Sequence, residues 1–221
     1  MPKRGRFITL EGGEGAGKST QARLLAQRLV EADFEVVVTR EPGGSPMAEA
    51  LRKLILSGAA ARYGAAGEAI LFGAARIDHL DRKIRPALKA GHWVVCDRFL
   101  DSTRAYQGAA GRLDPEIIAG LERVTIGQTM PDLTLILDLA PELGMQRAEE
   151  RRVRGESPDR FEGQDLAFHQ TLRRAFLAIA SAEPARCVAI DAGAAIEAVA
   201  EEIWTAVKRR FRADLKLKIR Q

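Results

Sequence analysis

The stretch Gly12 to Ser19 reads GGEGAGKS, with a short apolar run, Phe7 to Leu10, leading into it and a segment of helical periodicity leaving it. Strand, glycine loop and helix in that order form a phosphate-binding P-loop. Gly12, Gly13, Gly15 and Gly17 let the backbone turn its N–H groups toward phosphate oxygens with no Cβ in the way, and the helix starting near Gly17 adds its positive end. Lys18 supplies a mobile cation for β- and γ-phosphates, and Ser19 offers a hydroxyl to Mg²⁺. Glu14, Ala16 and Thr20 complete the segment expected to meet ATP. The unit names a nucleotide; it does not name a reaction.

What surrounds the loop sets the fold class. Five short apolar segments read as buried parallel strands: Phe7 to Glu11, Glu35 to Thr39, Trp93 to Asp97, Leu133 to Asp138 and Arg186 to Asp191. Between and after them, apolar residues recur at helical spacing over Lys18 to Ala32, Met47 to Ser57, Glu68 to Ala90, Pro115 to Gly127, Pro141 to Arg152, Leu166 to Ala182 and Ala195 to Phe211. Strands alternating with helices predict an α/β protein, a five-stranded parallel sheet flanked by helices. With 221 residues and no Pro/Ser/Gly-rich or charged linker, residues 1–221 read as a single domain. The one segment lacking apolar periodicity, RRVRGESPDR from Arg151 to Arg160, reads as an arginine-rich lid spanning about 147–160.

A net charge of +4 is too small to imply nucleic acid, and the basic C-terminal run KRRFRADLKLKIRQ alternates with Phe211, Leu215, Leu217 and Ile219 as a final helix or tail with a solvated face would. The chain enters a strand almost at once and has no apolar stretch of spanning length, so neither a cleavable signal nor a membrane partner is expected and the cytoplasm follows. Cys96 and Cys187 sit in apolar runs without metal-ligand spacing and read as small buried residues.

In open α/β sheets ligands collect beyond the carboxyl ends of the strands. The residues there are polar: the P-loop with Glu14, then TREPGG (Thr39 to Gly44), then CDRFLDSTRAYQG (Cys96 to Gly108). Asp97 stands where a P-loop enzyme needs a carboxylate for Mg²⁺, and Arg98 can hold a second phosphoryl group bidentately.

GGEGAGKS, TREPGG, LFGAAR (Leu71 to Arg76), DRFLDSTRAYQG and the arginine-rich lid ending in Asp-Arg, in this order, resemble the bacterial thymidylate kinases, which phosphorylate dTMP to dTDP with ATP. The resemblance runs from Phe7 to at least Ile190 and implies a three-layer P-loop kinase fold. It implies that Phe72 stacks on thymine and Arg76, four residues on, donates to thymine O4; that Thr103 and Gln107, on a helix after Arg98, read the N3 edge; and that Tyr106 lies against the sugar. Glu14 would meet the 3′-OH or a phosphate-bound water, Glu41 and Pro42 would line the pocket, and Arg52 would join Arg98 at the monophosphate. It also implies a homodimer built from helices near the third strand, where Ala74 and Ala75 permit close packing.

Some members of that family carry an arginine in the P-loop, and others carry arginines in the lid. This chain is of the second kind, with Arg147, Arg151, Arg152, Arg154 and Arg160 in or beside the lid. Arg154 is the implied arginine finger and Arg151 the other candidate, because ESP before Asp159 alters the lid's length. Lys18, Arg98 and the lid arginine are then the catalytic cations. A GTPase would need an Asn-Lys-x-Asp motif, which the chain lacks. Another nucleoside monophosphate kinase, of the UMP/CMP type, is the alternative within the same chemistry.

Overall fold

The computed structural model describes residues 4–153 and 161–218. In chain order the elements are β1 (Phe7–Gly12), α1 (Lys18–Glu31), β2 (Val36–Arg40), α2 (Pro46–Leu56), a 3₁₀ turn (Ala61–Tyr63) and α3 (Gly64–His79). After a π-helical turn (Leu80–Ile84) come α4 (Arg85–Lys89), β3 (Trp93–Asp97), α5 (Leu100–Thr103), a second π-helical stretch (Arg104–Ala110) and α6 (Pro115–Ile126). Then follow β4 (Leu133–Asp138), α7 (Pro141–Val153), α8 (Leu166–Ala182), β5 (Cys187–Asp191), α9 (Ile196–Arg210) and α10 (Arg212–Lys218).

The five strands form one parallel sheet in the order β2-β3-β1-β4-β5. With β1 central and β3 beside it, Leu10 pairs with Asp97, so the P-loop and the Asp97–Arg98 corner leave the sheet as neighbours. Alternation along β1 splits its side chains between two layers. Ile8 and Leu10 pack with Leu25 and Leu29 of α1 and Val199, Ile203 and Val207 of α9. Phe7 faces the other layer, against Leu80, Ile84, Leu88, Phe99 and Leu100. That second layer continues under β4 as Ile136, Tyr106, Phe161, Leu172 and Phe176. Both cysteines are free and buried. Among the described residues no helix is long and apolar enough to cross a membrane.

All five expected strands are present, with ends moved by one residue at most. The expected helix Glu68 to Ala90 is instead two helices with a π-helical turn between them, starting earlier, at Gly64. Pro86 explains the break: it has no N–H to donate and its ring excludes an ordinary α-turn before it. The C-terminal run does form a helix, α10, which Arg6 holds by an ion pair to Asp214 (2.8 Å) and a cation–π contact with Phe211 (5.6 Å). Of the lid, Arg154 and Arg160 lie outside the described residues, as does the side chain of Arg152.

Candidate active site

The P-loop is built as its glycines require. Gly12, Gly15 and Gly17 all have positive φ (139°, 69° and 85°), conformations that side chains rarely adopt. Gly15 also touches α7: a Cβ there would strike the carbonyl oxygen of Gly144, and a Cβ on Gly144 would strike that of Glu14. Lys18 opens α1 and donates from Nζ to Gly12 O (3.1 Å) and Gly13 O (2.6 Å), across the mouth of the loop. Burial, with the Arg98 charge close by, brings its ammonium down to about 8 against the opposing pull of Glu14, Asp97 and Glu11. Ala16 is buried in the core beneath the loop.

A cavity of about 330 Å³ opens beyond the ends of β1, β2 and β3. Its floor is the phosphate loop (Gly15, Gly17, Lys18, Ser19, Thr20), and its walls carry every residue the sequence resemblance assigned to a dTMP pocket: Glu14, Glu41, Pro42, Arg52, Phe72, Arg76, Arg98, Thr103, Tyr106 and Gln107. Asp97 and Arg151 line it too. Gly12 and Gly13 line instead a small cavity of about 20 Å³ behind the loop, with Asp138, His169 and Arg173.

Arg98 is the centre of the arrangement. It is one of three described non-glycine residues with positive φ (68°), a conformation that costs on the order of 1–3 kcal/mol and persists where neighbours enforce it. They do: its N–H donates to Leu10 O (2.9 Å), its guanidinium donates to Glu14 Oε1 (2.6 Å), Gly12 O and Ser102 Oγ (both 3.3 Å), and the ring of Tyr106 lies beneath it at 5.0 Å. The Tyr106 hydroxyl donates to the same Glu14 oxygen (2.6 Å). Burial alone would push the Glu14 carboxyl up; Arg98 and Lys18, with the hydrogen bonds from Tyr106 and Arg98, outweigh it and hold Glu14 down to about 2. Glu14 is therefore an anion throughout the working pH range and organises cations rather than moving protons.

Ser19 donates its hydroxyl hydrogen to Asp97 Oδ2, while Asp97 Oδ1 is buried without a hydrogen-bond partner. A hydroxyl and an under-satisfied carboxylate at the loop's edge are the hard oxygen donors that Mg²⁺ prefers. Arg52 donates to Pro42 O (2.7 Å), which ties α2 to the TREPGG turn. Arg76, buried at 3% exposure, donates from Nε to Glu41 Oε2 (2.7 Å) and from Nη2 to Phe99 O and Thr103 Oγ1 (both 3.1 Å). Gln107 donates to Glu68 Oε2 (3.3 Å). Phe72 is half-buried on α3, in the cluster that holds Tyr106 and Phe161. On α7, Arg151 pairs with Glu162 (3.0 Å) and has a buried Nε without a partner; Arg147 turns elsewhere, donating to Ala192 O (3.2 Å).

Several site residues escape sequence reasoning. Ser102, Phe99 and Glu162 line the cavity, and Glu11, inside an apolar strand, accepts from Phe99 N (2.7 Å), Ser102 N (3.3 Å) and Ser102 Oγ (2.6 Å), holding the start of α5. The available signal for Glu11 is a charged residue at the end of a strand whose neighbours on both sides must be buried.

The thymidylate kinase family model matches residues 10–203. A thymidylate kinase of Bradyrhizobium sp. (strain ORS 278) is 57% identical over 95% of this chain and 92% of its own length, and one of Nitrobacter hamburgensis is 58% identical over 94% and 90%. The crystal structure of thymidylate kinase from Ehrlichia chaffeensis superposes with a TM-score of 0.75 at 33% identity, covering 93% of this chain and 99% of that one. With the phosphate loop, the Asp97–Arg98 corner and the pocket walls in one cavity, this chain belongs to the thymidylate kinase family.

Proposed function

We propose that the chain transfers the γ-phosphoryl group of ATP to dTMP, giving dTDP and ADP, with Lys18, Arg98 and a lid arginine as the cations that stabilise the transferring group. The observation carrying this reading is that one cavity joins a phosphate cradle to a set of groups matched to a keto pyrimidine, with Arg98 between them. An oxygen of the dTMP phosphate forms the new bond to the γ-phosphorus while the bond to the β–γ bridging oxygen breaks and ADP leaves. The attacking oxygen is already anionic, so no general base is needed, and positioning with charge neutralisation carries the catalysis.

The chain's residues divide the work. Backbone N–H groups of Gly12 to Thr20 and the Lys18 ammonium hold the ATP phosphates, and Arg98 and Arg52 face the monophosphate. Arg98 is held in place for this by Glu14, whose ionised carboxylate also lies where a sugar hydroxyl can reach it beside Tyr106. Phe72 offers a face for the base. Arg76 can donate to O4, and with the Gln107 amide nitrogen bound to Glu68, its carbonyl oxygen is the group that accepts the thymine N3–H. Cytosine reverses donor and acceptor at both positions. Ser19 and Asp97 would hold Mg²⁺, which when bound neutralises charge on the β- and γ-phosphate oxygens.

The family resemblance also supports a cytoplasmic homodimer. On α3, Ile70, Ala74 and Ile77 are exposed on one face, and on neighbouring α6 so are Ile117 and Val124, seven residues apart; Ile70 is 57% and Val124 77% exposed. Ala75, the other small residue expected there, is buried and faces inward.

The test is a panel of dTMP, dUMP, dCMP, UMP, CMP and AMP with ATP and Mg²⁺, following ADP release. The expected order of kcat/KM is dTMP above dUMP, since the missing methyl group removes only an apolar contact, and dUMP above dCMP, by about tenfold or more at each step. Preference for UMP, CMP or AMP over dTMP would overturn the reading in favour of another nucleoside monophosphate kinase.

A further inference from the structure

Two buried polar side chains beneath the base pocket take no part in the mechanism above. Thr39 lies in β2 and His79 ends α3; they are 7% and 0% exposed, and neither lines the cavity. Their hydrogen bonds form a chain that ends on Arg76. Thr39 Oγ1 and His79 Nε2 are 2.7 Å apart, His79 Nδ1 and Glu41 Oε1 3.2 Å, and Glu41 Oε2 accepts from Arg76 Nε at 2.7 Å.

The chemistry of the groups fixes the direction of this chain. The Glu41 carboxylate, ion-paired with Arg76, can only accept, so His79 Nδ1 carries the proton between them. In a neutral imidazole Nε2 is then the acceptor, and the Thr39 hydroxyl is its donor. The ring has no room to turn: Gly44, the last glycine of TREPGG, approaches so closely that a Cβ there would strike both His79 Nε2 and Thr39 Oγ1. At the other end Arg76 spends Nε on Glu41 and Nη2 on Phe99 O and Thr103 Oγ1, which leaves Nη1 as the guanidinium nitrogen with no protein partner among the described residues.

We propose that Thr39, His79 and Glu41 form a positioning relay that sets the plane of the Arg76 guanidinium, so that Nη1 meets the oxygen of a 4-keto pyrimidine and opposes the amino group of a 4-amino pyrimidine. His79 is in this sense a positioning residue for base selectivity, without touching the base. The proposal rests on the reading of Arg76 as the O4 donor.

The readout is the ratio of kcat/KM for dUMP over dCMP, two substrates that differ in the group at position 4 of the ring and in the hydrogen on the adjoining N3. His79→Leu should lower this ratio about tenfold and leave the KM for ATP within about twofold of wild type, because misaligning a donor in a dry pocket weakens discrimination while the phosphate loop is untouched. His79→Gln, whose amide can donate to Glu41 and accept from Thr39, should keep the ratio within about twofold. Thr39→Val, nearly isosteric and three links from Arg76, should lower it by roughly threefold and carries the test if His79→Leu does not fold. Arg76→Ala separates the two levels of the argument. If it collapses the ratio while His79→Leu, or Thr39→Val in its place, leaves the ratio unchanged and only lowers the melting temperature, the relay is overturned and the pocket reading stands. If Arg76→Ala leaves the ratio unchanged, both are overturned.

Discussion

Glu11 is a carboxyl sealed under the strand that feeds the phosphate loop, and its environment has a price in protons. Burial and the nearby Asp101 raise it to about 7, against the hydrogen bonds from Ser102 and Phe99 and the charge of Arg98. An unfolded glutamate releases its proton near 4.5, so between there and about pH 7 the folded chain holds a proton that the unfolded chain does not. Stability from this group is thus present at low pH and falls as pH rises through that window. Glu11→Gln should flatten the decline, changing the difference in unfolding free energy between pH 5 and pH 8 by on the order of 1–3 kcal/mol in denaturant titrations. Parallel profiles for the two proteins would assign the proton elsewhere. Glu11 offers only the signal of a charge at the end of an apolar strand, and nothing in the sequence announces the roles of Thr39 or His79, because a buried polar residue with partners is written with the same letter as a solvated one. Phe72, Arg76 and Tyr106 were legible only through motifs in a known order; their spacing alone fits an ordinary core helix.

At the scale of elements, legibility followed burial. The strands β1, β3 and β4 were readable as buried apolar runs and the partly exposed edge strands β2 and β5 as short apolar ones, and α8 begins and ends where its periodicity does. The stretch Leu100–Ala110 was not among the periodic segments, since its residues turn in several directions: Leu100 and Ala105 to the core, Ser102, Tyr106 and Gln107 to the cavity, and Arg104 to Glu122 (2.6 Å). A π-helical register over Arg104–Ala110 shifts that pattern further from the usual spacing. Helix α7, which leads into the segment expected to be a lid, carries a separate prediction. Its Arg151 reaches the cavity with an unpartnered Nε, whereas Arg98 is fixed by Glu14 beside the phosphate loop, where the proposed function puts the monophosphate. Arg151→Ala should lower kcat by about a hundredfold and leave the calorimetric dTMP affinity within about twofold, because a charge that meets the transferring group acts chiefly in the transition state. Arg98→Ala should weaken dTMP binding as well as turnover. Unchanged kcat in Arg151→Ala would move the role to another lid arginine, Arg154 being the sequence candidate.

For the whole molecule, the α/β class, the single parallel sheet and the nucleotide loop were readable, since strand–helix alternation leaves few ways to bury every face. The homodimer is an expectation of the family resemblance alone, because an exposed apolar stripe depends on which helix faces turn outward. If α3 and α6 are the contact surface, Val124→Glu places charge on a residue that is 77% exposed in the isolated chain. Light scattering should then report a dimer for the wild type and a monomer for the variant, with the monomer's fold intact by circular dichroism; a wild-type monomer, or an unmoved variant dimer, would put the interface elsewhere. The touching backbones of Gly15 and Gly144 have a consequence for descent. An arginine at position 15 would need a left-handed backbone that few side chains tolerate, in space already held by α7. A lineage with this pair of glycines therefore loses the loop before it gains a cation there, unless the helix retreats first. The two glycines thus act on descent as a barrier, closing the short mutational path to a charged loop at that position.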